Sequence, residues 1–437
     1  MSTPPPVPRS TFERLTAQPL RLLTRFGGAA LTDRLGLRKP AEKVLYEVAK
    51  TVVAAASSAP KRAARLDRPA PTGVFDLTPT DEQQLVIATA RRFADEVLRP
   101  AASAADEAAS PGAVLGRSGD LALGPMAIPE AHGGVASERS IVTNTLVASE
   151  LARGDLGLAW ALLAPVAVID ALVRYGTAAQ QARYLPRFTG DAFVPAALAL
   201  LEPRVGFDPH APQAGAVRDG DGWKLYGAKA LVPLAATAEL FVIIVDIRGV
   251  GPRAFVVERG TPGVIVSAEP AMGLRAAATG RLVLDGARVG RDAMLGGDDG
   301  AIDLAGLVAR ARIGWAALGV GCAQAVLEFV KTYVNDRHAF GEPISNRQSV
   351  AFAVADIAIE LEGMRLMVWR AAALADRGDG PEVARAAALA RLQVAQKGMR
   401  IGSDGVQLLG GHGFVKEFPV ERWYRDLRAI GIMEGAL

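Results

Sequence analysis

The order of helical and strand patterns along the chain is the feature that most limits its fold. Residues 76–190 show helical periodicity, and residues 193–295 show short β-branched runs between Gly/Asp turns that recur every 8–12 residues. Long helical patterns return from residue 301. A doubly wound α/β fold needs strands that alternate with helices, so this order excludes it. We expect an α+β multidomain chain with a helical domain, an antiparallel β-domain and a second helical domain.

The charge distribution separates a leader from the body of the chain. Residues 1–70 carry 13 Lys+Arg and 5 Asp+Glu, whereas the other 367 residues carry 36 and 41. The net charge of +3 therefore combines +8 on the leader with −5 on the body. The predicted parts are a basic, partly helical leader (1–70), an N-terminal α-domain (76–192), a middle β-domain (193–297) and a C-terminal helical domain (298–437).

The leader mixes arginines with apolar residues and contains few acids. Three interpretations fit this pattern: packing on a partner subunit or on the chain's own body, contact with an anionic membrane surface, and a cleaved transit segment. We favour the first. No uninterrupted apolar run follows the first charges, as a secretory signal requires. We expect a cytoplasmic protein, with peripheral membrane contact through the leader as the alternative.

One internal run, residues 156–173, has about the length of a membrane span. Pro165 interrupts this run and Asp170 lies within it. A helix that is apolar on nearly all sides is also what the centre of a large helical domain requires. We therefore interpret the run as a buried helix.

Several function classes lack the residues that they need. The one cysteine, Cys322, excludes a disulfide framework and any multi-cysteine metal site. The four histidines are far apart in the sequence, so we expect no metal. No G-x-G-x-x-G follows a strand, and the sequence has no Walker A or G-x-S-x-G motif. No basic helix-turn-helix occurs in the body, so we expect no nucleic-acid partner.

The last third of the chain carries the most informative motifs. Two long stretches follow each other in this part of the chain, and shorter stretches occur in the first two domains. They are Arg337-His-Ala-Phe-Gly-Glu-Pro-Ile344 followed by Gln348; Gln407-Leu-Leu-Gly-Gly-His-Gly-Phe414; Met433-Glu-Gly435; Ile128-Pro-Glu130; Leu201-Glu-Pro203; and Trp223-Lys-Leu-Tyr-Gly-Ala-Lys229. Together with the α–β–α order, these motifs resemble the acyl-CoA dehydrogenase family from about residue 76 to the C-terminus.

This resemblance implies a fold and a reaction. The fold is an N-terminal all-α domain, a middle antiparallel β-domain and a C-terminal four-helix bundle. The reaction is the FAD-dependent desaturation of an acyl-CoA between its α and β carbons, and an electron-transferring flavoprotein accepts the electrons. Glu434 matches the carboxylate that removes the α-proton, and Gly435 lies beside it at the substrate. The neighbours of Glu434 in the sequence are apolar or small, which suits a desolvated base. Without the resemblance, Glu434 would be an ordinary charge near a chain end.

The resemblance also assigns the cofactor contacts. Arg337 matches the arginine at the FAD pyrophosphate, a task that suits a guanidinium fork. Phe340 and Gln348 match neighbours of the adenine half. Arg312 matches an arginine that helps to hold the substrate. Gln407, Gly410 and Gly411 match a segment that approaches the cofactor closely. These groups would reach the FAD of a neighbouring subunit in a homo- or hetero-oligomer, a dimer or tetramer. From the residues alone, Arg337 could be a surface charge and the glycines a helix cap.

The positions that match the flavin-ring pocket depart from the family pattern. Leu201 stands where the family has Thr, and Phe207 where it has Ser. Leu231-Val-Pro233-Leu replaces the usual Trp-Ile-Thr-Asn. Pro233 has neither a hydroxyl nor a backbone N–H to donate. Two hypotheses follow: an active dehydrogenase with an atypical flavin pocket, which we favour, and a degenerate subunit that lends Arg337 and Gln407 to a competent partner in a heteromer.

Overall fold

Helices occupy the first and last parts of the described chain, and strands occupy the middle. The computed structural model describes residues 78–136 and 139–434, apart from the side chain of Asp299. The leader (1–70) and Gly435, on which predictions were made, lie outside the described residues. The helices are α1 Asp81–Phe93, α2 Arg99–Ala108, α3 Leu123–Ala127, α4 Ile141–Gly154, α5 Leu156–Tyr175, α6 Ala178–Tyr184, α7 Leu304–Asp336, α8 Gln348–Asp376, α9 Pro381–Leu409 and α10 Val420–Ala429. A π-helical turn, Ala94–Leu98, joins α1 to α2.

The first helical region begins with a capping box. The Thr80 side chain accepts a hydrogen bond from the Gln83 backbone N–H, and the Gln83 side chain accepts one from the Thr80 N–H. Helix α5 carries the long apolar run and packs against strands of the middle domain. Two described helices, α5 and α7, are long and apolar enough to cross a membrane. In the structure, 83% of the most apolar 18-residue stretch of α5 and 72% of that of α7 are buried. Such burial is typical of the core helices of a folded domain.

The middle region forms a seven-stranded sheet. The strands are β1 Ala196–Ala199, β2 Gly215–Asp219, β3 Gly222–Val232, β4 Leu240–Ile247, β5 Gly251–Glu258, β6 Val264–Ala268 and β7 Gly280–Val289. Their order is β1-β4-β2-β3-β7-β6, with β5 paired to β4. Most pairings are antiparallel, as expected. The sequence did not predict that β1 runs parallel to β4, with Ala196 opposite Leu240. This pairing places the residues after β1, starting with Leu200, beside the end of β3.

The last region is a helical bundle that extends into the N-terminal domain. Helices α7, α8 and α9 pack on one another, the short helix α10 packs on α9, and α4 packs across α7 and α8. A two-stranded hairpin, β8 His338–Ala339 and β9 Glu342–Pro343, links α7 to α8. The expected helical bundle is confirmed, but the fourth helix of the C-terminal region is short, and α4 supplies the remaining long contact along α7.

A carboxylate at the end of α8 joins the two helical regions. Asp376 accepts hydrogen bonds from the Ser140 hydroxyl at 2.8 Å and from the Val142 N–H at 3.2 Å. It also accepts one from the Ile141 N–H. These donors belong to the N-terminus of α4, where the helix dipole favours a negative charge. Asp376 thus fixes the start of α4 against the bundle.

Candidate active site

Glu434 is buried in a clamp of two arginines. Only 9% of its side chain is exposed. Arg312 on α7 donates to it through Nη2 at 2.8 Å to Oε1 and through Nε at 3.1 Å to Oε2. Arg391 on α9 places Nη1 3.4 Å from Oε1. Ile430 and Met433 are buried, but Ile432 is 56% exposed. Because two arginines contact the carboxylate, the expectation of an apolar environment is wrong. The sequence neighbours of Glu434 could not reveal groups that come from α7 and α9.

Helix α10, which leads to Glu434, is held by charged contacts with the other two regions. Arg422 donates to buried Asp155 at the start of α5 over 3.1 Å. Arg425 donates to Asp106 over 2.8 Å. Asp426 accepts from the Leu274 N–H at 2.6 Å, and its burial, together with nearby Asp155, raises the pKa of Asp426 to about 7. These contacts fix the place at which the chain enters the site.

The predicted cofactor residues Arg337, Gln407, Gly410 and Gly411 lie together, at the ends of α7 and α9. They line one cavity of about 400 Å³. Gly410 has a φ of +57°, a left-handed conformation that favours glycine, and an added Cβ there would meet nothing within 4 Å. The backbone conformation therefore explains this glycine. A guanidinium, an amide and exposed backbone around one cavity suit an anionic ligand such as a diphosphate.

The two residues predicted at the adenine half are not part of this cavity lining. Phe340 is 94% exposed in the hairpin between α7 and α8, with φ +56° and the Arg347 guanidinium 5.4 Å from its ring centre. Gln348 is the exposed first residue of α8. An aromatic ring as exposed as that of Phe340 offers a flat surface to a ligand or to a second subunit.

Three residues near these sites escaped the sequence analysis. Tyr333 and His412 lie between the cavity just described and a neighbouring one of about 560 Å³, whose lining includes both. The Tyr333 hydroxyl lies 2.8 Å from His412 Nδ1, and the His412 ring stacks on Phe418 at 4.8 Å. The third residue is Arg391. His412 lies inside a recognised motif and could have been found, whereas nothing in the sequence pairs Arg391 with Glu434.

The residues predicted to line the flavin ring lie at the end of β3 and in the loop after β1. The Leu201 carbonyl accepts from the Ala230 N–H at 2.8 Å, which brings Leu201 next to Leu231. The Leu231 N–H donates to Glu269 at 2.7 Å, and its φ is +50°. Pro233 is buried, and Phe207 is half-buried under the Arg204 guanidinium at 5.3 Å. None of these four residues has a side-chain donor.

A buried ion pair between Lys229 and Glu202 lies next to the residues predicted to line the flavin ring. Lys229 is fully buried, and its Nζ donates to the Leu200 carbonyl at 3.1 Å and to Glu202 Oε1 at 2.9 Å. Glu202 also accepts from the Ala214 N–H at 2.9 Å. Burial lowers the pKa of Lys229 to about 8, against the opposing effect of Glu202. The pair holds both neighbours of Leu201.

The described residues contain no cluster of three or more His, Cys, Asp or Glu side chains that could hold a metal ion. The charged groups of the site are instead arginines. They face a carboxylate at Glu434 and an open cavity at Arg337. Arg312 lies near the start of α7 and Arg337 follows its end, so the buried carboxylate and the cavity are two separate sites along one helix. The first suits proton transfer by a carboxylate, and the second suits an anionic ligand.

The sequence matches the family models of the three acyl-CoA dehydrogenase domains, in the order N-terminal, middle and C-terminal. The N-terminal domain model matches residues 80–191, the middle domain model 197–287 and the C-terminal domain model 298–437. The order agrees with the α–β–α arrangement of the structure.

Individual relatives cover most of the chain. It is 33% identical over 364 residues to the mitochondrial short-chain specific acyl-CoA dehydrogenase of Bos taurus, covering 81% of this chain and 87% of the relative. The butyryl-CoA dehydrogenase of Megasphaera elsdenii has a TM-score of 0.76 and 28% identity, over 83% and 96% of the two chains. A glutaryl-CoA dehydrogenase of Mycobacterium smegmatis, solved in complex with FADH2, has a TM-score of 0.74 and 26% identity, over 82% and 92%. This chain belongs to the acyl-CoA dehydrogenase family.

Proposed function

We propose that this protein is a flavin oxidoreductase that uses FAD to desaturate an acyl-CoA thioester between its α and β carbons, with Glu434 as the base. The observation that carries the proposal is the buried Glu434 carboxylate, held in place by two guanidinium groups at the position of the family base. A group that accepts an α-proton must be ionised, fixed and shielded from bulk water, and Glu434 combines these properties.

The residues present fit FAD at its diphosphate end. Arg337, Gln407 and the Gly410-Gly411 backbone line one cavity. The Arg337 guanidinium and the Gln407 amide provide donors that suit a diphosphate, whereas the Gly410 N–H already donates to the Gln407 carbonyl. The ring end fits differently. Leu201, Phe207, Leu231 and Pro233 offer an apolar surface, and the Leu231 N–H is already used by Glu269. We infer that FAD is held mainly through its diphosphate end.

In the proposed reaction, this chain binds and orients the acyl-CoA and moves one proton. The Glu434 carboxylate removes the α-proton as the α-carbon–hydrogen bond breaks. A bound FAD would supply the acceptor for the β-hydride, and the product would be an enoyl-CoA. Arg312 and Arg391 stabilise the ionised carboxylate before the transfer, and the buried Ile430 and Met433 reduce the access of water.

We propose an electron-transferring flavoprotein as the electron acceptor, as the family relationship supports. The relatives named above include enzymes for short-chain acyl-CoA and for glutaryl-CoA. We propose an acyl-CoA substrate without assigning its chain length. For the leader, we propose assembly or peripheral membrane contact of a cytoplasmic enzyme, and a variant that begins at residue 71 tests this through its gel-filtration size and its binding to anionic vesicles.

One observation favours the second hypothesis, a subunit that serves only a partner's FAD. The pocket for this chain's own flavin ring contains none of the side-chain hydroxyls of the family at Leu201, Phe207 or Pro233. Arg337 and Gln407 remain available on the exposed surface for a neighbouring subunit. Under this hypothesis the chain is colourless when purified alone and binds FAD only with a paralogue.

Purification of the full chain alone decides between the two hypotheses. We expect a yellow protein whose flavin absorbance bleaches under anaerobic conditions with at least one of butyryl-, octanoyl-, palmitoyl- and glutaryl-CoA. Glu434→Gln should keep FAD and lose at least about 100-fold in bleaching rate, as expected for removal of a general base. Arg117→Met, which removes an exposed arginine paired with Asp120, serves as the control. Bleaching by Glu434→Gln at the wild-type rate would show that the base is another group.

A further inference from the structure

The chain segment that carries Glu434 is tied to helix α9 by one side chain. Arg391 donates through Nη2 to the Met433 carbonyl at 2.8 Å and to the Gly431 carbonyl at 3.4 Å. Its Nη1 lies 3.4 Å from Glu434 Oε1. One guanidinium therefore contacts the backbone on the N-terminal side of Glu434 and the carboxylate itself. Arg312, in contrast, donates to the carboxylate oxygens.

The two arginines come from helices that approach each other very closely. A Cβ added to Gly319 of α7 would lie 2.4 Å from Val394 Cγ1 of α9 and 3.3 Å from Ile430 Cγ1. Arg312 lies seven residues before Gly319, and Arg391 lies three residues before Val394. These spacings place each arginine on the same helix face as the close contact. The close contact at Gly319 therefore sets the distance between α7 and α9. Both arginines contact Glu434 from helices held at this distance.

The environment of Arg391 is costly for a residue that only stabilises the fold. Its Nε is buried and has no hydrogen-bond partner within the described residues. Burial lowers the pKa of Arg391, against the opposing effect of Glu434, and the nearby Arg312 lowers it further. Two features of Arg391 are therefore unfavourable: a buried Nε–H without a partner in the described part of the chain, and the positive charge of Arg312 beside its own. Residues with such costs are often retained for function.

We propose that Arg391 is a positioning residue for the catalytic base: it fixes the backbone of residues 431–433 and one oxygen of Glu434, so that the other oxygen faces the substrate α-carbon. This inference rests on the proposed function of Glu434. Oε1 receives both arginines, whereas Oε2 has only the Nε of Arg312 as a partner in the described structure. Under this proposal Oε2, which has fewer contacts, is the oxygen that accepts the α-proton.

The test compares Arg391→Met and Arg391→Lys with the wild type, as FAD-loaded full chains with the acyl-CoA of the panel above that bleaches the flavin fastest. Arg391→Met should lower kcat by about 10- to 100-fold with little change in KM, because a misplaced base slows proton removal and leaves substrate binding intact. The isotope effect of the α-deuterated acyl-CoA should rise, because proton removal becomes more rate-limiting. Arg391→Lys keeps the charge but cannot span both carbonyls and the carboxylate, so it should recover only part of kcat.

Hydrogen exchange provides a readout that does not depend on turnover. The Ile432 and Met433 N–H groups donate to the Ala429 carbonyl at 2.8 and 3.0 Å. Loss of the Arg391 contacts should speed the exchange of a peptide covering 427–434, while a peptide from α4 exchanges as before. Arg117→Met is again the control. Wild-type kcat, isotope effect and exchange in Arg391→Met would overturn the inference.

Different variants test the proposed function and the role of Arg391, so their failures can be told apart. If Glu434→Gln turns over at the wild-type rate, Glu434 is not the base and both fall together. If Glu434→Gln is inactive but Arg391→Met behaves as the wild type in all three measurements, only the role of Arg391 falls. Faster exchange with unchanged kcat would make Arg391 a structural tether, which also contradicts a positioning role.

Discussion

Leu201 shows how one residue affects the cofactor pocket. Its neighbours Leu200 and Glu202 are both bound by the buried Lys229, so its backbone place is fixed although its side chain has lost the hydroxyl of the family pattern. At the proposed flavin-ring pocket, hydrogen bonds thus hold the backbone in place, while the side-chain donors of the family pattern are missing. A donor placed back at this position should therefore meet a preformed site.

Restoring this hydroxyl should strengthen FAD binding. Leu201→Thr adds one side-chain donor, and a net hydrogen bond of about 0.5–1.5 kcal/mol corresponds to about a 2- to 10-fold lower Kd for FAD. Flavin fluorescence during reconstitution of the stripped protein measures this Kd. Leu85→Thr, at an exposed position on α1, is the control and should leave the Kd unchanged. Weaker FAD binding in Leu201→Thr would show that the apolar side chain itself contacts the ring.

Lys229 supports the pocket through a charge that burial disfavours. Its pKa is lowered from about 10.5 to about 8 in the folded chain. Between these values the unfolded chain binds more protons than the folded chain, so the contribution of Lys229 to the free energy of unfolding rises with pH. Below pH 8 both states are protonated, and the contribution is constant.

The prediction is a pH-dependent difference between the wild type and Lys229→Met. Lys229→Met should lower the free energy of unfolding by about 1.5–3 kcal/mol at pH 7, because the buried Glu202 carboxylate loses one charged hydrogen-bond donor and keeps only Arg204, at 3.2 Å, as a cation within the described residues. The difference from the wild type should grow between pH 8 and 10. Urea unfolding at each pH measures it, and Lys229→Met/Glu202→Gln should recover part of the loss. A difference that shrinks over this range would contradict the assigned pKa direction.

At the scale of elements, the contact between α7 and α9 decides whether the site can form. Helix α7 begins after Asp303, whose side chain accepts from the Gly306 N–H at 2.9 Å. It ends at Asp336, next to Arg337 at the candidate cofactor cavity. Both candidate sites therefore depend on the placement of the same helix. Arg312 lies near its start and Arg337 at its end.

Gly319→Ala should separate α7 from α9. A new Cβ 2.4 Å from Val394 Cγ1 forces a shift, and overpacking of this kind costs about 1–3 kcal/mol. The kcat should fall as well, because Arg312 and Arg391 then reach Glu434 from displaced helices. Thermal unfolding and flavin bleaching measure the two effects.

Two further variants check this explanation. Gly319→Ala/Val394→Ala should lose less stability than the sum of the single changes, because the smaller side chain makes room for the new methyl group. Gly363→Ala on α8, where an added Cβ meets nothing within 4 Å in this chain, should gain up to about 1 kcal/mol from helix propensity. Equal losses at positions 319 and 363 would show that the close contact is not the cause.

At the scale of the whole molecule, the described part of the chain presents an exposed apolar face on the bundle. Phe352, Ile359 and Leu366 of α8 are exposed at seven-residue spacing, and Leu389 and Leu392 of α9 are exposed as well. Seven-residue spacing brings the side chains to one side of a helix, where they form a continuous apolar strip. We propose that a second copy of the chain covers this face, and that Arg337 and Gln407 then contact the partner's FAD.

Ile359→Lys should therefore dissociate the proposed oligomer. FAD should be released over the same range of protein concentration in which the oligomer dissociates. A lysine in an apolar interface is left without a partner, which costs several kcal/mol. Light scattering after gel filtration gives the mass, and the absorbance ratio gives the bound flavin. Val250→Lys, at an exposed turn between β4 and β5, is the control and should remain oligomeric and yellow. A monomer that keeps its FAD would show that one chain binds the cofactor unaided.

The sequence predicted the architecture closely but left specific contacts open. Strand and helix periodicities reflect local burial, so the α–β–α order and most element positions followed from them. The helical patterns at 304–333, 349–376 and 381–410 correspond to α7 Leu304–Asp336, α8 Gln348–Asp376 and α9 Pro381–Leu409. The parallel placement of β1 beside β4 did not follow, because β1 is four residues long and its partner lies 44 residues away.

By itself, the sequence determined the family, the candidate base and the loss of hydroxyls in the ring pocket, because these depend on which residue stands at a position of a recognisable motif. Only the tertiary structure brought Arg391 to Glu434, 43 residues apart, and gathered Arg337 with Gln407 and the two glycines at one cavity. Contacts of this kind depend on helix packing, which a local pattern does not encode. The charge of the surroundings of Glu434 was therefore decided by the close approach of α7 and α9 at Gly319.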